Sequence, residues 1–169
     1  MKKYLLLIIF ALGTFTSFSQ EKEEEVTTYY LIRHAEKQRT DPKDKDPSLT
    51  IEGSERATRW AKVLSTANIN MVYTTNYNRT KETAQPTATE YGLDLLEYDP
   101  RNMFDDVFKN NTTGKNVLVV GHSNTTNVFA NKILGKDLYK EIADDNNSNL
   151  YIVTVSKNGT TSVLLTVDN

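Results

Sequence analysis

Tyr29 to Lys37 reads Y-Y-L-I-R-H-A-E-K, a short apolar run that stops at Arg33-His34. Bulky hydrophobes followed at once by a guanidinium and an imidazole predict a buried strand that delivers its polar end to the rim of a sheet. The chain contains two histidines, and the second closes a run of the same kind, V-L-V-V-G-H-S-N from Val117 to Asn124. Both imidazoles are thus expected to leave strand C-termini, where open α/β sheets place their ligands.

Around these two runs the chain alternates between strand and helix signals. The first strand is expected over Val26 to Ile32, and the polar, proline-containing Gln38 to Ser48 reads as a surface loop hanging off Arg33-His34. Thr50 is placed to cap a helix with Ala57, Trp60, Ala61 and Leu64 on one face, with Gly53 as an early weak point. Ile69 to Thr74 is a second strand. A polar helix then starts at Asn78-Arg79 and should end at Gly92, with Pro86 expected to kink or shorten it. Leu93 to Tyr98 reads as a third strand, and Asn102 to Lys109 as a short helix with Met103, Phe104, Val107 and Phe108 turned inward. Thr112 to Gly114 is a turn, Val117 to Val120 the most fully buried strand, and Thr125 to Leu134 a helix stopped at Gly135. Leu150 to Val155 and Ser162 to Val167 flank Lys157-Asn158-Gly159, a hairpin signal. The expected architecture is a three-layer α/β/α sandwich with a mostly parallel central sheet and an antiparallel C-terminal hairpin.

Lys2-Lys3, the apolar run Leu5 to Leu12 and the small-residue exit Ser17-Phe18-Ser19 have the layout of a secretory signal over residues 1–19, too short to span a bilayer. A retained anchor is the alternative. Cleavage leaves an acidic tail at 20–25, a single domain at 26–169, no stable membrane anchor, and a destination in the periplasm or outside the cell. It removes two lysines and no acid, which moves the formal charge from −2 to −4. A mildly acidic body without a basic cluster gives no footprint for nucleic acid or an anionic membrane. Without cysteine, no disulfide supports the fold, which must rest on core burial.

Arg33 and His34 after the first strand, Arg79 after the second and His122 after the fourth converge on one rim in this reading. Two guanidiniums and two imidazoles form a pocket of donors suited to a tetrahedral oxyanion, with phosphate as the natural guest. The neighbouring cations should keep an imidazole neutral and therefore nucleophilic. A metal is not expected, since a third ligand at fixed spacing is missing and the arginines would repel a cation. Arg56 and Trp60 read as structural, and Lys37 as either a phosphate neighbour or a loop charge.

L-I-R-H-A-E-K resembles the Arg-His signature of the histidine phosphatase (phosphoglycerate mutase-like) superfamily. L-T-x-x-G-x-x-R-A at Leu49 to Ala57, N-R-T-K-E-T-A at Asn78 to Ala84 and V-V-G-H-S-N at Val119 to Asn124 follow in the order that family shows. The resemblance implies phosphoryl transfer through a phosphohistidine, without metal or other cofactor, on a small phosphorylated substrate or a phosphoprotein. His34 would be the nucleophile. Arg33, Arg79 and His122 would hold the equatorial oxygens, with Asn124 adding to that cradle. One branch of the family carries an Asp after the second histidine, where this chain has Ser123. In the other branch the proton donor is a Glu in an L-x-E pattern, matched by Leu95-Leu96-Glu97. Glu36 and Glu52 stand nearer the motifs, and one of them can instead orient an arginine. The length suits a small, cap-less phosphatase, including the phosphohistidine-protein type, better than an isomerising mutase. A non-catalytic phosphate-binding module of the same fold is the alternative.

Overall fold

The computed structural model describes residues 25–167. The expected signal segment 1–19 and all of the acidic tail except Glu25 lie outside the described residues. Within them, ten elements follow one another: β1 (Thr27–Arg33), α1 (Ile51–Val63), β2 (Met71–Thr74), α2 (Asn78–Tyr91), β3 (Leu95–Glu97), α3 (Asp106–Thr112), β4 (Asn116–Gly121), α4 (Thr126–Leu134), β5 (Asn149–Ser156) and β6 (Gly159–Thr166).

The strands form one sheet in the order β3-β2-β4-β1-β5-β6. The first four are mutually parallel, and β5 and β6 add antiparallel to β1 and to each other. Alternation along the buried strands separates the core into two faces. Leu31, Val117 and Val119 pack with Phe108 of α3 and Phe129 and Ile133 of α4. Ile32, Leu118 and Val120 pack with Trp60 and Leu64 of α1 and Ala84 and Ala88 of α2. A sheet covered on both faces explains the uninterrupted apolar runs at β1 and β4. The parallel register sets Arg33 opposite Gly121 and Val120 opposite Thr74, so β1, β4 and β2 end on one rim.

Two local expectations are corrected. The helix from Asn78 runs through Pro86 to Tyr91 and is not shortened. Thr83, Ala84, Thr87 and Ala88 are buried, and this packing on the sheet outweighs the hydrogen bond lost at the proline. The helix predicted over Asn102 to Lys109 is Asp106–Thr112 instead, capped by the Asp105 carboxylate, which accepts from Phe108 N–H at 2.7 Å. The later start turns Val107 to solvent, while Met103 and Phe108 remain buried.

Candidate active site

The segment leaving β1 is held by its backbone. His34 N–H donates to the Gly121 carbonyl at 2.9 Å, continuing the β1–β4 ladder one step past the strand. Asn147 Nδ2 donates to the His34 carbonyl at 2.7 Å, and Ala35 N–H donates to Thr83 Oγ1 at 2.9 Å. The His34 ring is buried, with Nδ1 2.7 Å from the Ala35 carbonyl. A carbonyl only accepts, so Nδ1 carries the proton and Nε2 carries the lone pair. Burial first, then the charges of Arg33 and Arg79, push the His34 pKa down to about 3, which leaves the ring neutral at physiological pH.

Arg33 is also buried. Its Nη1 donates to the carbonyls of Ala143, Asp144 and Asn146 at 2.9–3.1 Å, and Nη2 donates to Asp144 Oδ1 at 2.8 Å. The Asp144 carboxylate spans two guanidiniums, since Oδ2 lies 2.9 Å from Arg39 Nη2. Burial opposes charge on Asp144, but the pairs with Arg33 and Arg39 prevail and hold its pKa below the usual carboxylate range. Nε of Arg33 is buried without a hydrogen-bond partner.

Arg79 stands in the first turn of α2 with its guanidinium carbon 4.3 Å from the centre of the Tyr77 ring. Its Nη1 is 3.6 Å from Asp46, too long for a hydrogen bond, and both Nε and Nη1 are buried without a partner. His122 follows β4, its ring 5.5 Å from that of His34 and 5.2 Å from that of Tyr77. Burial first, then Arg79 and Arg33, push its pKa down to about 4. Its Nε2 is 2.9 Å from Thr75 Oγ1.

These side chains surround one hollow of about 460 Å³, lined by Arg33, His34, Arg79 and His122 together with Lys37, Tyr77, Asn124 and Asp144. The sequence-predicted set His34, Arg33, Arg79, His122 and Asn124 is therefore brought together. Glu97 is not. It is half-exposed, paired with Lys81 at 2.9 Å, and lines an adjoining groove of about 710 Å³ that shares Tyr77 with the hollow. Arg56 is buried and pairs with Glu36 at 2.7 Å, so this glutamate is the one that orients an arginine. Among the described residues, no cluster of three or more His, Asp or Glu side chains suits a metal ion. A larger hollow of about 760 Å³ between α1 and α2 contains neither imidazole.

Sequence reasoning passed over Tyr77, Thr75 and the loop carrying Asp144. The run D-D-N-N at Asp144 to Asn147 reads only as a turn. Its hold on Arg33 acts largely through main-chain carbonyls, which no side-chain pattern marks.

Residues 29–103 match the family described as the histidine phosphatase superfamily (branch 1). No curated protein matches the chain significantly. Among solved structures, the protein histidine phosphatase SixA complexed with tungstate superposes with a TM-score of 0.65 at 15% identity, covering 82% of this chain and 96% of that one. A mycobacterial glucosyl-3-phosphoglycerate phosphatase bound to VO3 gives 0.64 at 11% identity, covering 84% and 100%. A candidate phosphohistidine phosphatase SixA from Agrobacterium tumefaciens gives 0.62 at 18% identity, covering 82% and 97%. At these identities the likeness is one of fold.

Proposed function

Since residues 29–103 belong to the histidine phosphatase superfamily, branch 1, we propose that this protein is a phosphatase that works through a phosphohistidine at His34. The observation that carries the reading is the set of buried donors without a hydrogen-bond partner, Nε of Arg33 and Nε and Nη1 of Arg79, on two arginines that line the hollow with both imidazoles. Buried donors are costly unless an acceptor satisfies them, and a tetrahedral oxyanion supplies several acceptors at once. The tungstate and VO3 complexes of the two similar structures are in keeping with such a guest.

In this mechanism Nε2 of His34 attacks phosphorus as the bond to the leaving oxygen breaks, while Nδ1–H stays on the Ala35 carbonyl. Arg33 and Arg79 meet the negative charge spread over the equatorial oxygens, and His122 and Asn124 complete the cradle. Water then hydrolyses the phosphohistidine and frees inorganic phosphate. His34 directly follows β1, and β2 and β3 lie beyond β4 and His122 in the sheet, so in this reading the leaving group passes over Tyr77 toward the groove lined by Glu97. There Glu97 can meet the leaving oxygen as proton donor. A compact, cap-less site accepts a small phosphomonoester or a phosphorylated protein side chain. The cations around the hollow favour no metal there.

The test compares wild type with His34→Ala on p-nitrophenyl phosphate and on a phosphohistidine peptide, together with trapping of the labelled enzyme by an alkaline denaturing quench. Wild type should turn over and carry base-stable label, and the variant should lose roughly a thousandfold or more in rate and all of the label. Equal background rates with inorganic phosphate still bound would leave a binding module.

A further inference from the structure

Thr80 Oγ1 lies 2.9 Å from the Thr75 carbonyl and 2.9 Å from the Tyr77 carbonyl. It also lies 3.0 Å from Thr75 Oγ1, which in turn is 2.9 Å from His122 Nε2. A hydroxyl has one proton, and two of the three oxygens around Thr80 are carbonyls, stronger acceptors than the hydroxyl that is the third, so Thr80 is assigned as donor to one of them, beside the backbone N–H groups that these carbonyls also accept. With that assignment the bond between the two hydroxyls is donated by Thr75. With its own proton so used, Thr75 Oγ1 can only accept from the imidazole, and Nε2 of His122 carries a hydrogen. Thr75 directly follows β2 and Thr80 lies in the first turn of α2, both fully buried, and His122 directly follows β4.

The nitrogen of His122 that remains for a guest is Nδ1. In the neutral ring that atom is a lone pair, which repels an anion. We propose that Thr75 and Thr80 are positioning residues that hold the proton of His122 on Nε2, so that a dianion enters the hollow only with uptake of one proton at Nδ1. The inference rests on the oxyanion hollow proposed above.

The groups facing His122 agree with this order of events. Arg79 from α2, Arg33 from β1 and Lys37 from the loop after it hold the ring neutral when the hollow contains no anion, and Asp46 opposes them weakly. A bound dianion offsets those cations and favours the imidazolium. His34 is the more buried ring and meets the same cations, so His122 takes the proton and His34 stays nucleophilic.

Sulfate tests this, because it remains a dianion across the range in question. In titration calorimetry of the full protein in buffers of different ionisation enthalpy at pH 7, each sulfate should bring about one proton with it. Its affinity should rise about tenfold per unit fall in pH between 7.5 and 5.5. Thr75→Val keeps the shape and removes the acceptor. It should weaken sulfate by about tenfold or more and shift the ¹⁵N resonances of His122 away from the Nε2–H pattern, whereas Thr75→Ser should restore both. Sulfate binding without proton uptake, or an unaltered His122 spectrum in Thr75→Val, overturns this inference and leaves the hollow standing. No sulfate binding in wild type overturns the hollow as well.

Discussion

Arg79 is a partly buried residue that lines the hollow, with its guanidinium carbon 4.3 Å from the centre of the Tyr77 ring. Lysine keeps the charge but supplies neither the fork nor the flat surface that stacks on the ring. Arg79→Lys should therefore lower kcat/KM by about 10–100-fold, the loss of one to two charge-assisted hydrogen bonds, with Arg79→Ala lower still. Steady-state rates that stay at wild-type level in the lysine variant would place Arg79 outside the chemistry. Glu97 demands a different comparison because it stands in the adjoining groove, tied to Lys81. Glu97→Gln should slow an alkyl phosphate far more than p-nitrophenyl phosphate, whose leaving group needs little help from an acid; uniform losses would reject the role. The contrast between these residues shows what a chain discloses by itself. Arg33, His34 and His122 at strand ends and Arg79 at the start of the helix after β2 are legible because their chemistry and position coincide. Thr75, Thr80 and Tyr77 are common residue types whose importance lies in which atom each one faces.

At the scale of elements, α1 is pinned to the segment that carries His34. Thr50 N–H donates to the Glu36 carbonyl at 2.9 Å, and Thr50 Oγ1 caps the helix by accepting from Gly53 N–H at 3.0 Å. A methyl group on residue 53 would overlap the Glu36 carbonyl. The glycine that looks like a flaw in the helical pattern is thus a requirement of close packing, and only the neighbouring backbone, distant in sequence, reveals it. Gly53→Ala should destabilise the protein by about 1–3 kcal/mol in urea denaturation and reduce turnover, because Glu36 must move and His34 stands two residues away. Unchanged stability with full activity would contradict this packing. The same reasoning limits what was legible in the fold. Strand order and layers follow from apolar runs and connection lengths, whereas the passage of α2 through Pro86 and the exposure of Val107 depend on tertiary contacts and on a cap at Asp105.

For the whole molecule, the cost of assembling this pocket should appear as sensitivity to acid. The folded protein holds one buried and one partly buried imidazole, His34 and His122, whose pKa values are pushed down to about 3 and about 4, against an unfolded value of 6.5. Between those limits the unfolded chain binds more protons than the folded one, so stability rises with pH. The contribution is fully present above about pH 6.5 and is lost as pH falls through the folded values. Each imidazole can remove up to about 1.4 kcal/mol per pH unit over that window, and the two together act on a fold without disulfides. Asp144, the carboxylate held down by Arg33 and Arg39, adds its loss only below the usual carboxylate range, so the two effects separate on the pH axis. Urea midpoints taken at pH 7.5, 6.0 and 5.0 should fall progressively in wild type. They should fall far less in a His34→Gln, His122→Gln double variant, which has no imidazole to protonate. Midpoints that hold steady from pH 7.5 to 5.0 in wild type would mean that the two rings stay accessible to protons in the native state, and the account of a cation-lined pocket that keeps them neutral would have to be abandoned.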